Sequence, residues 1–293
     1  MTTPISPAPA PATERVFPDE SLRAMEELYP LRAGPLRHNL RDHPLLNLDA
    51  LAVLAEALPA SQIEYNPGNI PIGIKPEDVP QSALSIGETI RTIDSNGNWA
   101  VLKNIETMPA YRALLMGLLG ELEDVVDPRT GAMLTPQGFI FISSPGSITP
   151  YHFDPEHNIL LQLRGTKVMN VWPAGDERFA HRVEHERYHT GGHRNLPWTD
   201  DFHAGALQVP LMPGDAVLMP VMAPHFVANG DAPSISLSIT WRSEWSYRES
   251  EAHVANAALR RMGLDPAMPP RWPSYAWAKT VAWRVLRRLR VVS

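Results

Sequence analysis

Apolar residues recur at helical spacing in the first part of the chain. In PDESLRAMEELYP, a Ser/Asp cap precedes Leu22, Met25 and Leu28, and this spacing predicts a helix. NLDALAVLAEALP predicts a second helix, which has Asn47 as its cap and ends before Pro59. The chain therefore begins with helical segments that need an apolar surface to pack against.

Between residues 85 and 126 the pattern mixes helices with one strand. SIGETIRTI has a capping box formed by Ser85 and Glu88, which predicts a short helix. NGNWAVLKNI has turn residues followed by alternating apolar positions, which predicts a strand. TMPAYRALLMGLLGELEDVV predicts one long helix with an apolar face and Thr107 as its cap. Near the end of the chain, SEAHVANAALRRMG and SYAWAKTVAWRVLRRLRVV predict two more helices.

Short apolar runs separated by Pro and Gly replace the helical spacing between about residues 138 and 241. Eight of them predict short strands: GFIFIS, YHF, NILLQL, KVMNVW, ALQVPLM, DAVLMP, HFVAN and SISLSITW. This succession of short strands is typical of a sandwich or barrel such as the jelly roll. We therefore predict an α+β chain with a double-stranded β-helix (jelly roll) core, a helical N-terminal region and C-terminal helices.

These patterns divide the chain into four predicted parts. Residues 1–15 are a Pro/Ala-rich leader without the apolar segment of a secretory signal, and we expect them to be disordered. Residues 16–130 are a mainly helical region packed on the core, and residues 131–243 are the barrel. Residues 244–293 are a C-terminal helical region suited to dimerisation.

Composition and charge narrow the classes of protein and of site. The 293 residues include 30 prolines, which favour short strands and turns over long helical bundles. The formal charge of −6 argues against a general nucleic-acid binder, which needs a broad basic surface. Because the chain has no cysteine, a metal site must use His, Asp or Glu. No apolar run is long enough to cross a membrane, and we expect a cytoplasmic protein.

His152 and Asp154 are the first candidates for metal ligands. They are two residues apart in a predicted strand, so their side chains should point to the same face. His225 opens a later predicted strand and is the candidate for a third ligand. Two histidines and one carboxylate form the facial triad of non-haem Fe(II) oxygenases. In the alternative interpretation each histidine is an ordinary hydrogen-bonded residue, because an H-x-D sequence also occurs by chance.

Lys167 is unusual because the chain has few lysines and this one lies inside an apolar strand pattern. Burying an unpaired charge is costly, so a buried lysine must lower its pKa or bind an anion. In the alternative interpretation Lys167 lies at a strand edge and extends its ammonium group to water. An anion-binding role and a surface role are both open from the spacing alone.

Residues from about 138 to 243 resemble the JmjC/cupin-like Fe(II)/2-oxoglutarate-dependent oxygenases. The resemblance extends especially to small protein hydroxylases such as the asparaginyl hydroxylase that inhibits hypoxia-inducible factor. The pattern of that family is T-P-x-H-x-D, with an Asn four residues after the Asp and a Lys fifteen residues after the His. This sequence matches it, together with the distal G-D-x-x-x-x-P…H segment, at Thr149, Pro150, His152, Asp154, Asn158, Lys167, Gly214, Asp215, Pro220 and His225.

The resemblance implies two sets of site residues. The Fe(II) ligands would be His152, Asp154 and His225. The 2-oxoglutarate site would contain Thr149, Asn158, Lys167 and Ser238. In that family the lysine and the threonine bind the distal carboxylate of 2-oxoglutarate, and the asparagine contacts its metal-side carboxylate. Ser238 occupies roughly the place of a second asparagine, a loose match because the loop after the last histidine is shorter here.

An Fe(II)- and 2-oxoglutarate-dependent dioxygenase is the function that the resemblance implies. Such an enzyme uses O2, releases succinate and CO2, and would hydroxylate an unidentified substrate, for instance a protein side chain. Hydroxylation and N-demethylation share this chemistry, and the sequence does not separate them. Two alternatives are a non-catalytic metal-binding cupin with a regulatory or ligand-binding role, and a cupin isomerase or dioxygenase that does not use 2-oxoglutarate. Lys167 discriminates, because only the first function requires it.

Two further segments have several interpretations each. In HRVEHERYHTGGHR, histidines at four-residue spacing would form a stripe on a helix, but Gly191 and Gly192 end any helix before the last one. The segment is a second metal site, a lid over the site or an inert loop. The histidines are His181, His185, His189 and His193.

The C-terminal pattern places Trp277, Val281, Val285 and Leu289 on one apolar helix face, with basic residues opposite. A homodimer through C-terminal helices is the interpretation that the family resemblance favours. Membrane or nucleic-acid contact is the alternative, since basic amphipathic helices also bind such surfaces.

Overall fold

Two antiparallel sheets lie at the centre of the structure, a computed structural model that describes residues 15–67, 72, 78 and 84–288, without the side chains of residues 286 and 287. The strands are β1 (Gly34–Arg37), β2 (Ile63–Pro67), β3 (Asn98–Lys103), β4 (Leu134–Ser143), β5 (His157–Arg164), β6 (Lys167–Val171), β7 (Leu207–Leu211), β8 (Asp215–Met219), β9 (His225–Asn229) and β10 (Ser234–Arg242). The helices are α1 (Asp19–Leu28), α2 (Leu48–Ala57), α3 (Ile86–Arg91), α4 (Pro109–Gly120), α5 (Glu123–Thr130), α6 (Arg182–His189), α7 (Glu244–Arg261) and α8 (Trp277–Arg288).

From β5 onward the chain passes repeatedly between the two sheets, as in a double-stranded β-helix. The large sheet has the order β1-β8-β5-β10-β4-β3-β2, and the small sheet has the order β7-β6-β9. Residues 148 and 152 extend the small sheet, because they form isolated antiparallel bridges to residues 228 and 225 of β9. The predicted α+β class and double-stranded β-helix core are confirmed.

The alternating sequence of β10, SISLSITWR, gives the large sheet one apolar and one polar face. Ile235, Leu237 and Ile239 enter a core that also contains buried residues of the N-terminal helices, such as Met25 and Leu115. The intervening serines and Thr240 lie on the opposite face, where they are also buried. Because side chains in a strand point alternately to the two faces, this serine repeat places hydroxyl groups between the sheets. The site described below lies on that side.

The predicted N-terminal caps of two helices, α2 and α3, are confirmed. The Asn47 side chain accepts a hydrogen bond from the Ala50 amide at 2.9 Å and caps α2. Ser85 and Glu88 form both halves of the predicted capping box of α3. Each local pattern was sufficient here because a cap depends on neighbouring residues only.

Two predicted elements were wrong in their extent. The long helix expected from Thr107 to Val126 is divided into α4 and α5, and α4 begins with Pro109 rather than after a threonine cap. At the division, the Glu121 carboxylate accepts hydrogen bonds from the amides of Val16 and Phe17 at 2.9 and 2.8 Å, a long-range contact that no local pattern contains. The expected YHF strand is reduced to one bridging residue, His152, which forms isolated bridges to Asn195 and His225.

Some predictions concern residues outside the described part of the chain. The leader expected at residues 1–15 lies outside it except for Arg15, and so does Leu289 of the C-terminal apolar stripe. Strands β1 and β2, which pair with β8 and β3, had no prediction from the sequence. Within the described residues, the helices are too short or too polar to cross a membrane.

Gly165 turns the chain from β5 in the large sheet to β6 in the small one. Its φ of +68° lies in the left-handed region, and a Cβ built on it would lie 2.3 Å from the carbonyl oxygen of Pro233. Gly146 has nearly the same φ, +67°, but a Cβ there would meet nothing within 4 Å. The two glycines therefore share a conformational requirement and differ in the space around them.

We expect Gly165→Ala to lower the free energy of unfolding more than Gly146→Ala. A left-handed conformation destabilises a residue with a Cβ by about 1–2 kcal/mol, and this effect lowers the free energy of unfolding of both variants. Forced overlap with neighbouring atoms adds a further destabilisation of about 1–3 kcal/mol, and only Gly165→Ala has such an overlap. Urea unfolding of both variants and the parent measures the difference. Equal losses in the two variants would mean that the close approach to Pro233 has no energetic consequence.

Candidate metal centre and its cavity

A cavity of about 660 Å³, lined from both sheets, contains every residue that the sequence proposed for the site. The small sheet and the segment that extends it contribute metal-ligand and lysine candidates, and the large sheet contributes amide and hydroxyl groups. The predicted residues that line it are Thr149, His152, Asp154, Asn158, Lys167, His225 and Ser238. The structure brings all of them together, and the role of each stays a prediction.

Backbone pairing brings the two histidines next to each other. The His152 amide donates to the carbonyl of His225 at 3.0 Å, and the His225 amide donates to the carbonyl of His152 at 2.7 Å. The Met222 amide donates to the carbonyl of Asp154 at 2.8 Å, and Met222 has a φ of +58° in the turn before His225. The H-x-D segment is therefore held by the turn and strand that carry the third ligand, although it is not the regular strand expected.

His152, Asp154 and His225 converge on one point. The Oδ2 atom of Asp154 lies 3.7 Å from Nε2 of His152 and 3.6 Å from Nε2 of His225. Within the described part of the chain, these residues are the one group of three His, Asp or Glu whose ligand atoms all lie within 4.8 Å of one another. Two nitrogens and one carboxylate oxygen that face a cavity form a donor set that fits Fe(II) with open positions.

Hydrogen bonds fix the tautomer of both histidines. Nδ1 of His152 donates to the carbonyl of Pro150 at 2.7 Å, and Nδ1 of His225 donates to the carbonyl of Ala223 at 2.9 Å. Since each Nδ1 carries the proton, the lone pair of each Nε2 faces the metal position. Burial, followed by the proximity of His225, lowers the pKa of His152 to about 3, and burial lowers the pKa of His225. Both rings are neutral at physiological pH, as metal ligation requires.

Asp154 divides its two oxygens between the triad and an arginine. Its Oδ1 atom accepts a hydrogen bond from Nη1 of Arg194 at 2.9 Å, while Oδ2 faces the histidines. Burial alone would raise the pKa of Asp154, but the Arg194 guanidinium and the two histidines outweigh burial and hold this pKa below its ordinary value. The carboxylate is therefore ionised at neutral pH.

Lys167 opens β6 and is only 4% exposed. It is paired in register with Leu211 of β7 and Asn229 of β9, so it lies on the central strand of the small sheet and not at a sheet edge. Among the described residues no side chain or carbonyl forms a hydrogen bond or ion pair with its ammonium group. Burial lowers the pKa of Lys167 to about 7. The interpretation in which this lysine extends to water is therefore wrong.

Thr149 and Asn158 present free donors to the cavity. Oγ1 of Thr149 accepts a hydrogen bond from the Val227 amide at 2.8 Å, so its hydroxyl proton is available to a ligand. Ser238 donates to Oδ1 of Asn158 at 2.7 Å, which leaves the amide NH2 of Asn158 as a donor. Ser238 thus orients Asn158, an arrangement that the antiparallel pairing of β5 with β10 produces.

The cavity lining also includes polar residues that were missed from the sequence, among them Glu156, Tyr188, Arg194 and Asn229. Burial, and then the charge of Asp154, raises the pKa of Glu156 to about 7. Asn229 donates to Ser147 at 2.9 Å, and its Oδ1 atom is buried without a hydrogen-bond partner in the described structure. Nothing in their spacing distinguishes these residues. The position of Glu156 beside the H-x-D segment is the one signal that could have identified it.

The histidine-rich segment forms α6 and the loop after it. His181 caps the helix, and His185 and His189 on α6 stack with His253 of α7, at ring-centroid distances of 4.9 and 5.3 Å from that ring. Among the residues that the structure describes, these histidines do not form a convergent ligand set of the kind found at the triad. The loop after α6 contributes His193 to the cavity lining, which agrees with the lid interpretation.

Comparison with known protein families identifies the domain that carries this site. Residues 118–247 match the cupin-like domain family. These residues form a cupin-like domain. It contains all the predicted site residues and strands β4 to β10.

The cupin-like domain has similar sequences and structures in other organisms. The chain is 30% identical over 112 residues to Jumonji C domain-containing protein 5 of Drosophila melanogaster, a match over 34% of this chain and 26% of that protein. The chain therefore spans about a quarter of the length of this relative. The fold is similar to that of YcfD from Escherichia coli, with 17% identity, a TM-score of 0.52, and coverage of 92% of this chain and 67% of YcfD. A second YcfD structure, described as a ribosomal oxygenase in complex with cobalt and 2-oxoglutarate, matches with 15% identity, a TM-score of 0.50, and coverage of 94% and 68%.

We expect the stacked histidines to make the protein less stable in acid. Burial, together with Arg271 and neighbouring histidines, lowers the pKa of His253 well below 6.5, and burial lowers the pKa of His185 and of His189 to about 3. The unfolded chain therefore binds more protons as the pH falls below about 6.5, and the free energy of unfolding drops. Each such histidine contributes up to about 1.4 kcal/mol per pH unit.

The variant His253→Phe tests this expectation, because it keeps a ring in the stack and removes a titrating group. Urea unfolding at pH 7.5 and 5.5 should show a smaller loss of stability in the variant than in the parent. The same loss in both proteins would contradict the assignment of this acid sensitivity to the stack.

Proposed function

We propose that this chain is an Fe(II)- and 2-oxoglutarate-dependent dioxygenase that hydroxylates a protein side chain. The observation that carries the proposal is the combination of a convergent His-Asp-His triad with a buried lysine that has no anion partner in the described structure, both in one cavity. A metal site alone is compatible with many cupin functions. The lysine adds a specific requirement for an anionic ligand.

The metal would be held by Nε2 of His152, Nε2 of His225 and one oxygen of Asp154. Bound iron supplies the oxidising power for hydroxylation by O2, while 2-oxoglutarate is converted to succinate and CO2. The protein's own groups have other tasks. The carbonyl partners of both Nδ1 atoms fix the ring orientations, and the buried surroundings limit the access of water.

The 2-oxoglutarate would lie between the triad and Lys167. The ammonium group of Lys167 would pair with the distal carboxylate, and the free hydroxyl proton of Thr149 would donate to it. The Asn158 amide, oriented by Ser238, would donate to the carboxylate near the metal. Structures of YcfD, which has a similar fold, contain cobalt together with 2-oxoglutarate or succinic acid. They support the binding of a metal and a dicarboxylate by this fold.

A protein substrate is supported by two observations of different kind. The E. coli structure with a similar fold is described as a ribosomal oxygenase. The cavity extends beyond the proposed co-substrate site to the aromatic residues Trp99 and Tyr188, which suit the insertion of a side chain.

The non-catalytic cupin is the alternative function from another class. Such a module could keep a metal site, but it has no need for an unpartnered lysine buried in the same cavity. A cupin enzyme that does not use 2-oxoglutarate also has no role for Lys167. Both alternatives predict that removal of the Lys167 charge leaves ligand binding at the metal unchanged.

An anaerobic absorption titration tests the proposed function. We expect a visible charge-transfer band only after the metal-free protein receives both Fe(II) and 2-oxoglutarate, because the band requires the 2-oxoacid to chelate the metal. Lys167→Met should lose the band at 2-oxoglutarate concentrations that saturate the parent, since the distal carboxylate then has no cation.

Lys103→Met is a matched control, because Lys103 lines the same cavity but pairs with Glu64. It should keep the band. If the parent binds Fe(II) and gives no band with 2-oxoglutarate, the chain is a metal-binding cupin without this co-substrate. An unchanged band in Lys167→Met would remove Lys167 from the site.

We also propose that the chain is a homodimer in which α8 contacts a second copy. One side of α8 packs on α7, where Thr280 is only 3% exposed and its hydroxyl donates to the carbonyl of Arg248 at 3.4 Å. Its other side exposes Trp277, Val281 and Val285, with Trp277 at 64% exposure. An exposed apolar stripe at this spacing suits a second amphipathic helix.

The cytoplasmic location expected from the sequence also stays a prediction.

We expect Val285→Asp to convert the dimer to a monomer, because the charge would lie in an apolar interface. Sedimentation velocity at micromolar protein concentration measures the change. Val53→Asp is the control, since Val53 is also an exposed valine, at 67% against 50% for Val285, but lies on α2. A parent protein that sediments as a monomer would contradict the proposed dimer.

A further inference from the structure

Arg194 lies on the loop after α6, outside the residues that the family pattern defines. Its Nη1 atom is 2.9 Å from Oδ1 of Asp154, and its side chain lines the cavity. Oδ2 of the same carboxylate is the atom that faces Nε2 of His152 and Nε2 of His225. One carboxylate therefore has one oxygen directed at the triad and the other directed at a cation.

The geometry points to Arg194 as a positioning residue that holds Asp154 with a single oxygen toward the metal. This inference rests on the proposed function, because it concerns how the metal site is arranged. A carboxylate that can rotate freely is able to bind a metal through both oxygens, which fills a coordination position. A facial triad needs the remaining positions open for the co-substrate and O2. An arginine that occupies Oδ1 prevents the second contact.

The backbone around Arg194 is fixed to the segment that carries the ligands. Asn195 forms an antiparallel bridge with His152, and the Leu196 amide donates to the carbonyl of Tyr151 at 2.9 Å. Nη2 of Arg187, on α6, donates to the carbonyl of Asn195 at 2.9 Å. Backbone contacts of the next two residues therefore tie the position of Arg194 to the segment that carries Asp154.

The exposure of the pair agrees with this role. The Asp154 side chain is 19% exposed, so the carboxylate has few water molecules to orient it. The Arg194 side chain is 43% exposed, so its loss should have little effect on the folding core. An alternative role for Arg194 is direct contact with the substrate. That role would leave the metal and its spectrum unaffected in the absence of substrate.

Co(II) titration of the metal-free protein distinguishes these roles. Arg194→Met removes the charge and the donors at similar length, and we expect it to change the Co(II) affinity about tenfold or more, the size of effect that the loss of an outer partner of a metal ligand typically has. The visible spectrum of the Co(II)-bound variant should also differ from that of the Co(II)-bound parent. The change of this spectrum on addition of 2-oxoglutarate should be smaller in the variant than in the parent. Arg194→Lys keeps one charged donor, so its Co(II) affinity and its spectrum should lie between those of Arg194→Met and those of the parent.

Arg178→Met is the matched control, because Arg178 also pairs with a carboxylate, that of Asp176, but does not line the cavity. It should bind Co(II) as the parent does. Parental Co(II) affinity and spectrum in Arg194→Met would overturn the inference, and so would a marked loss of thermal stability in that metal-free variant, which would make the role structural. Failure of the parent itself to bind Co(II) would instead overturn the proposed function, and the inference with it.

Discussion

The paired backbone hydrogen bonds between His152 and His225 are the contact on which the rest of the site depends. Each residue donates its amide to the carbonyl of the other, at 3.0 and 2.7 Å, so the two residues lie directly opposite in an antiparallel bridge. Their rings consequently lie on the same side, with centroids 4.2 Å apart. Asp154 then reaches the same point because the Met222 amide, in the turn before β9, binds its carbonyl. Any shift of this bridge by one residue would move one histidine to the other face.

The division of labour between the sheets follows from their sequences. The small sheet, with the segment that extends it, supplies nitrogen and carboxylate ligands and a cation. The inner face of the large sheet supplies hydroxyl and amide groups through Ser238, Thr240 and Asn158. Because the opposite face of β10 is apolar and packs on the N-terminal helices, the register of this strand is fixed. That register determines that Ser238 meets Asn158, so helix packing on one face positions a polar pair on the other.

The sequence predicted those site residues whose spacing is short or belongs to a family pattern. The H-x-D ligands are neighbours in the chain, and Lys167 is embedded in an apolar strand, so both leave a local signal. Arg194 leaves none, because its position depends on how the loop after α6 returns to His152. The division of the long predicted helix has a similar cause, since Glu121 is bound by amides near residue 16. Contacts between distant segments decide both features, and single-sequence periodicity contains no information on them.

Burial of Lys167 connects the stability of the protein to the chemistry of its ligand. An ordinary lysine has a pKa of 10.5, so a pKa of about 7 means that the cavity disfavours the ammonium form relative to water. The same low polarity strengthens attraction to a carboxylate, which water at the surface would screen. A bound dianion would raise this pKa, so binding above pH 7 would be accompanied by proton uptake. A 2-oxoacid that lacks the distal carboxylate would reach the metal and leave the lysine unpaired. Under the proposed function, selection for a dicarboxylate of suitable length would follow from the depth of this one lysine, independently of the metal.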